Sequence, residues 1–359
     1  MGNEKKAGHA TTSEDLAERI AQEINGAMSA MTLYIGHRLG LFEALEETGP
    51  TTAPGLARRT GLSERYILEW LSALSAGGYL TYDPDSSDFS LPQAHREALL
   101  DAESPVYALP FVRFPVSIAA ALPGVIEAFK TGGGVPYEAY GHEFVGAQGL
   151  QSRYTFLHEL AEQWIGAMPD VRDRLAAGGR ALEVGCGVGW AAIGLAHGFP
   201  AATIDAVDPD ATSIRAARQN VESEGLSDRI DLHESIIEEA GLEGPYDLVA
   251  AFEVLHDLPY PVKGLKRMRE LASPGGTVLI VDEAVEDSLE ENANFMGHLF
   301  YNFSVLHCLP QSMTAPNSAG TGTVLTPTTL NHYAEKAGFS AVDVLPVEHP
   351  MFRLYRLTP

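Results

Sequence analysis

Glu183-Val-Gly-Cys-Gly-Val-Gly189 is the stretch whose reading decides the fold. The apolar run Ala181-Leu-Glu-Val184 leads straight into it, and Trp190-Ala-Ala-Ile-Gly-Leu-Ala196 follows as the opening of a helix. Glycines let the chain turn sharply and let a ligand approach the backbone, and a helix start presents free N–H groups. Such a loop alone reads equally well as a tight strand-to-helix turn or as a nucleotide site. Two carboxylates sharpen it. Glu183 lies two residues before the first glycine, where a pyrophosphate would be repelled and a cofactor with a cationic amino acid end would be welcome. Asp208 ends the next apolar run, where a carboxylate can accept both ribose hydroxyls.

Working outward, seven short apolar runs alternate with helical stretches: Ala181–Val184, Ala202–Val207, Ile230–Leu232, Tyr246–Ala251, Thr277–Val281, Ala341–Val344 and Phe352–Tyr355. That alternation predicts an α/β doubly wound sheet. The last two runs leave no room for a helix between them and predict an antiparallel edge strand. At the carboxyl end of the fourth run stand His256 and Asp257, where open α/β sheets place their chemistry. A histidine there can accept a proton from a hydroxyl or thiol. Glu283 ends the following run, and adjacent strand ends would let it orient His256.

These residues resemble the class I S-adenosylmethionine-dependent methyltransferases. Glu183–Gly189 is similar to their first motif, and Asp208 to their ribose-binding acid. Phe252-Glu-Val-Leu-His-Asp257 is similar to their fourth-strand motif, and Pro274-Gly-Gly-Thr-Val-Leu-Ile-Val281 to the turn into strand five. The resemblance implies a Rossmann-like seven-stranded methyltransferase domain over 176–359. It implies S-adenosyl-L-methionine as cofactor and S-adenosyl-L-homocysteine as product. Glu183, Gly185, Cys186, Gly187, Gly189, Asp208 and Phe252 would hold the cofactor, with Glu234 or Ser235 against the adenine; a solvated acidic turn is the other reading of Glu234.

The His-Asp pair with a later glutamate resembles plant-type small-molecule O-methyltransferases, which also carry an N-terminal winged-helix dimerisation domain. The resemblance implies His256, Asp257 and Glu283 as the catalytic set. One element departs: Ser312–Gly320 holds no further glutamate, which puts base catalysis by His256 in question. A closer resemblance is to bacterial, notably actinobacterial, methyltransferases with an N-terminal winged helix. It rests on Gly132-Gly-Gly-Val-Pro-Tyr137, His256-Asp257, Ser304-Val-Leu-His-Cys-Leu-Pro310 and Gly320-Thr-Gly322. Some of that group resemble regulators, so a non-catalytic or regulatory cofactor-binding protein is the alternative to an enzyme. The acceptor atom stays open among oxygen, nitrogen, sulfur and carbon, with oxygen the first expectation.

Upstream, residues 1–13 read as a disordered leader. Residues 14–98 read as a winged-helix dimerisation domain: a helical pattern from Ser13 to about Leu45, helices over 51–61 and 66–74, and a hairpin turning at Asp83–Asp88. Residues 99–175 read as a helical linker and substrate lid, broken at Gly132–Pro136, with a plain loop between packed helices as the other reading of Gly132–Tyr140. Within the lid Tyr137 and Tyr140 would meet the substrate, with core packing as the other reading of Tyr140. His298 and Tyr301 would line the pocket from a later helix, alongside His307 and Cys308. The spacing of those histidines and Cys308 matches no standard zinc set, so no metal is expected.

The helix at 64–74 sets Arg65 against Glu64 and Glu69, and the hairpin tip carries Asp83, Asp85 and Asp88, which argues against DNA. So does the formal charge of −24, from 24 basic and 48 acidic residues. The expected partners are a small, largely apolar acceptor and a second copy of the chain, bound through the N-terminal domain. No apolar run is expected to span a membrane. Two cysteines, Cys186 and Cys308, make no disulfide framework and fit a reducing cytoplasm.

Overall fold

The computed structural model describes residues 12–359. Residues 1–11 of the expected leader lie outside the described residues, and Thr12 and Ser13 already belong to a helix start. The chain divides into two compact units at Ala119/Ala120.

The N-terminal unit begins with α1 (Ser13–Leu39), one 27-residue helix. Its N-cap is Thr12. Thr12 accepts from the Asp15 N–H while the Asp15 carboxylate reaches back to the Thr12 N–H, a capping box. The helical pattern expected to about Leu45 is interrupted at Gly40, whose positive φ of 65° ends α1 and opens α2 (Leu41–Thr48). Then follow α3 (Ala53–Thr60), α4 (Glu64–Ala76), and an antiparallel hairpin of β1 (Thr81–Asp83) with β2 (Asp88–Ser90). Phe42, Leu56, Trp70, Leu71 and Leu74 fill the core. Gly36 lets α1 approach that core: a Cβ there would stand 2.5 Å from the Trp70 ring. The Trp70 indole donates to the Thr32 carbonyl at 3.0 Å.

The second unit is built on a seven-stranded sheet. Its strands are β3 (Arg180–Val184), β4 (Thr203–Asp208), β5 (Ile230–Glu234), β6 (Tyr246–Phe252), β7 (Ala272–Glu283), β8 (Ala341–Val344) and β9 (Phe352–Thr358). The spatial order is β5-β4-β3-β6-β7-β9-β8. Strands β3 to β7 pair in parallel, and β9 runs antiparallel to both its neighbours. All seven expected strands are present, but the antiparallel one is not at the edge. β9 lies between β7 and β8, and burial explains why. Phe352, Leu354, Tyr355 and Leu357 are buried, as a two-sided neighbour requires, whereas β8 exposes Asp343 and Val344.

Helices cover both faces with separate apolar cores. Strand order reverses between β3 and β6, and their carboxyl ends therefore open the crevice in which doubly wound sheets bind ligands. Among the described residues one helical stretch, Leu109–Thr131, is long and apolar enough, by length and composition alone, to cross a membrane.

Candidate active site

The crevice begins with the glycine loop. Gly185, Gly187 and Gly189 all have positive φ (73°, 51° and 86°), a region that side chains rarely adopt. Gly185 is also sterically obligatory, because a Cβ there would lie 2.4 Å from Val254. A Cβ on Gly187 would meet nothing within 4 Å, so this part of the loop faces open space. The loop is tied to β4 by the Gly185 and Cys186 N–H groups, which donate to the Val207 carbonyl (2.7 and 3.1 Å). Asp208 accepts from the Gly187 and Asp210 N–H groups, at 2.8 Å each. Burial raises its carboxyl above the usual range even so.

Glu183 is only 3% exposed. The Ala192 N–H donates to it, yet its Oε2 has no hydrogen-bond partner. Burial, reinforced by the Asp208 charge, pushes its pKa to about 8. A buried carboxylate in that state lacks a cation.

The next cluster forms where β6 and β7 end side by side. A short 3-10 turn, Leu255–Asp257, buries His256 between the two strands. Its Nδ1 lies 2.8 Å from Asp282 Oδ1 and 3.3 Å from Glu283 Oε2, and its Nε2 lies 3.4 Å from Asp257 Oδ1. Burial opposes a charge on the imidazole, but Asp282, Glu283 and Asp257 outweigh it and raise the His256 pKa well above the ordinary value. Burial raises Asp257, while at Asp282 the neighbouring His256 overcomes burial and holds the carboxyl low. His256 is thus a buried imidazolium with carboxylates at both nitrogens.

A third group is aromatic. Ser304–Cys308 forms a π-helical turn that directs both His307 and Cys308 inward. Phe144 stacks on the His307 ring at 4.0 Å, Tyr140 meets it edge-on at 4.5 Å, and Tyr137 at 5.8 Å. The Tyr140 hydroxyl donates to the Leu306 carbonyl at 2.8 Å, and the Tyr137 hydroxyl donates to Gln148. Burial raises the Tyr137 hydroxyl well above its usual pKa, and the charges of Asp208, Asp210 and Asp257 add to it.

Comparison with known proteins agrees with this geometry. The family described as "Methyltransferase domain" matches residues 156–344, more than half the chain. The chain belongs to the methyltransferase-domain family. Residues 27–101 match the family described as "Rv2258c-like winged HTH domain". Among relatives, the methyltransferase GfsG of Streptomyces halstedii is 30% identical over 137 residues, 38% of this chain and 49% of that protein. The ubiquinone biosynthesis O-methyltransferase of Nitrosospira multiformis is 27% identical over 212 residues, 57% of this chain and 81% of that one. The chain spans half or less of several curated relatives, 24% of an uncharacterized Synechococcus protein among them. Among solved structures, mitomycin 7-O-methyltransferase MmcR superposes with a TM-score of 0.69 at 20% identity, covering 96% of this chain and 97% of that one. Human N-acetylserotonin methyltransferase, in complex with S-adenosylmethionine, gives 0.67 at 18%, covering 100% and 99%. At these identities the structures show the fold: a class I, Rossmann-like methyltransferase domain with an N-terminal winged helix.

Within this methyltransferase fold the residues expected from sequence are placed unevenly. Glu183, Gly185, Cys186, Gly187, Gly189 and Asp208 share the loop at the ends of β3 and β4. Ser235 donates its backbone N–H to the Asp208 carbonyl at 3.1 Å, while Glu234 is exposed at the end of β5. Phe252 packs into the core against Phe156 and Trp164, with ring centroids 5.3 and 6.1 Å away. His256, Asp257 and Glu283 come together. Tyr137 and Tyr140 meet His307, whereas His298 and Tyr301 are exposed on the helix Phe295–Phe303. Asp282 was missing from the expected set although it is the nearest partner of His256. Glu253 was missing as well: it sits at φ 58° on the end of β6, and burial raises its carboxyl to about 7. The acid pair at the end of β7 was the signal available for Asp282.

Proposed function

We propose that this chain transfers a methyl group from S-adenosylmethionine to a small, largely apolar acceptor, with an acceptor oxygen as the first choice. The observation that carries the reading is the partnerless, buried Oε2 of Glu183 beside the open face of Gly187. The residues present fit this cofactor: Glu183 suits its cationic amino acid end, Asp208 the ribose hydroxyls, and Gly185, Gly187 and Gly189 close backbone approach. When bound, the cofactor supplies a methyl on a positively charged sulfur that is already reactive. The chain's own contribution is therefore mainly positioning and exclusion of water.

On the acceptor side, His256 carries its proton between carboxylates and has no free lone pair, so we assign it to orienting and charge balance. Asp257 is the group that can hold a proton leaving the acceptor: its carboxylate faces the His256 Nε2 at 3.4 Å, and burial has made the carboxyl more basic. Glu283 steadies the imidazolium from the other side. The non-catalytic alternative has no observation in its favour.

Calorimetric titration with S-adenosylhomocysteine tests the cofactor site. Glu183→Gln should weaken binding about a hundredfold, the scale of removing one partner from a buried ion pair. Because Glu183 must ionise to meet the ammonium, wild-type affinity should fall up to about tenfold per pH unit below about 8. An unchanged affinity in the variant, or a flat pH profile, overturns the assignment.

We also propose a homodimer through the N-terminal unit. Leu16, Ile20, Ile24, Met28, Met31, Ile35 and Leu39 recur three or four residues apart along α1 and are 39–60% exposed, an apolar stripe that a second copy would cover. The sequence reasons against nucleic acid hold as part of this proposal: Arg65 is engaged by Glu69, and Asp83 accepts from Asp85 and Ser86 within the hairpin tip. Ile24→Glu with Met28→Glu should convert a sedimenting dimer to monomer; a wild-type monomer would sink the idea.

A further inference from the structure

We infer that His307, through its Nε2, is the group that receives the hydrogen bond of the acceptor's hydroxyl, and that its aromatic surround takes a flat ring bearing that hydroxyl. This rests on the methyltransferase reading above and names the residue that its acceptor side still lacked.

Three observations carry it. His307 is 1% exposed, and its Nε2 has no hydrogen-bond partner. A buried ring nitrogen without a partner costs free energy that a ligand can recover. Second, the ring is walled by Phe144, Tyr140 and Tyr137, whose faces and edges suit an aromatic guest. Third, it stands on a π-helical turn, an irregularity that places side chains at functional sites more often than it stabilises a helix.

The tautomer follows from its neighbour. Cys308 Sγ lies within 4.8 Å of a carboxylate oxygen of Asp257, which draws the thiol proton and leaves the sulfur as an acceptor toward His307. The Nδ1 of His307 lies 3.4 Å from that sulfur and is therefore the protonated nitrogen. Nε2 keeps its lone pair and accepts rather than donates. Burial, with the positive His256 nearby, lowers the His307 pKa to about 3, so the ring stays neutral. Hydroxyl, His307, Cys308 and Asp257 then form one hydrogen-bonded line, ending on the carboxylate assigned above to hold the departing proton.

The test uses the full chain saturated with S-adenosylhomocysteine and a matched pair of probes, 1-naphthol and 1-methylnaphthalene, titrated by calorimetry. Wild type should bind 1-naphthol about tenfold tighter. His307→Phe, which keeps the ring but not the lone pair, should bind both probes within a factor of two and S-adenosylhomocysteine as wild type does. His307→Asn, which restores an acceptor, should regain part of the preference. Equal binding of the probes by wild type, retained preference in His307→Phe, or binding of neither probe overturns the inference. Failure of wild type to bind S-adenosylhomocysteine in the first titration overturns the methyltransferase reading instead, so the two failures are distinguishable.

Discussion

Two histidines about fifty positions apart in sequence are buried in the same crevice with opposite electrostatic fates. His256 stands among Asp257, Asp282 and Glu283, and their charges lift its pKa against the cost of burial. His307 stands among Phe144, Tyr140 and Tyr137, and burial with no compensating carboxylate drops it to about 3. The same side chain is thus a fixed cation on one wall and a neutral hydrogen-bond acceptor on the other. What differs is whether the neighbours repay the desolvation of a charge. For a methyl transfer this division is useful, because the acceptor then meets a charge-balanced wall at His256 and an uncharged hydrogen-bond acceptor at His307.

The comparison is broken most severely by removing the cation from the acid wall. His256→Leu leaves Asp282, 0% exposed, without its counter-charge. Stability at pH 8 should fall by about 3–5 kcal/mol, the cost of an orphaned buried ion. The sign with pH follows. In wild type, the raised His256 pKa gives stability that is full below the unfolded value near 6.5 and is lost as pH rises through the folded value. In the variant Asp282, without its cation, is protonated in the folded state from pH 8 to pH 5 and gains stability across that whole interval. The wild type gains only down to about 6.5, so the deficit should shrink on moving to pH 5. Urea unfolding at the two pH values reads this; an equal deficit at both would show that His256 acts by packing alone.

Glu183 is the reverse case, a buried acid with no resident cation. Its folded pKa of about 8 lies above the usual 4.5, so the folded state holds the proton more tightly and stability declines as pH rises from 4.5 to 8. Glu183→Gln should therefore make the ligand-free chain more stable than wild type at pH 9, by up to about 5 kcal/mol, while it impairs cofactor binding. A variant no more stable than wild type in thermal unfolding at that pH would mean that Glu183 already has a cationic partner.

Much of this was legible in the sequence, for local reasons. The seven strands announce themselves as apolar runs, and the loop from Gly185 to Gly189 needs its positive φ angles wherever the chain goes next. The pairing of His256 with Glu283 followed from consecutive strands ending together. Asp282 did not follow, because alternation along β7 sends residues 282 and 283 to opposite faces; His256 meets both only because it sits at the rim. The position of β9 inside the sheet was readable in principle from its four buried apolar residues against the exposed Asp343 of β8. The inward turn of His307 was not, since a π-helical turn shifts the facing of every residue after it relative to a 3.6-residue period.

That turn supplies the smallest test. Its Leu306 carbonyl is satisfied from outside the helix, by the Tyr140 hydroxyl at 2.8 Å, and the same tyrosine ring bounds His307. Tyr140→Phe keeps the ring and removes the donor, so a buried carbonyl is left unsatisfied at a cost of about 1 kcal/mol. If the hydroxyl holds the turn in register, the variant should lose that much stability and also part of the preference for 1-naphthol over 1-methylnaphthalene, though less than His307→Phe loses. Loss of stability with the preference intact would show that the aromatic wall holds His307 by ring contacts alone. Loss of preference with full stability would place the Tyr140 hydroxyl itself against the acceptor.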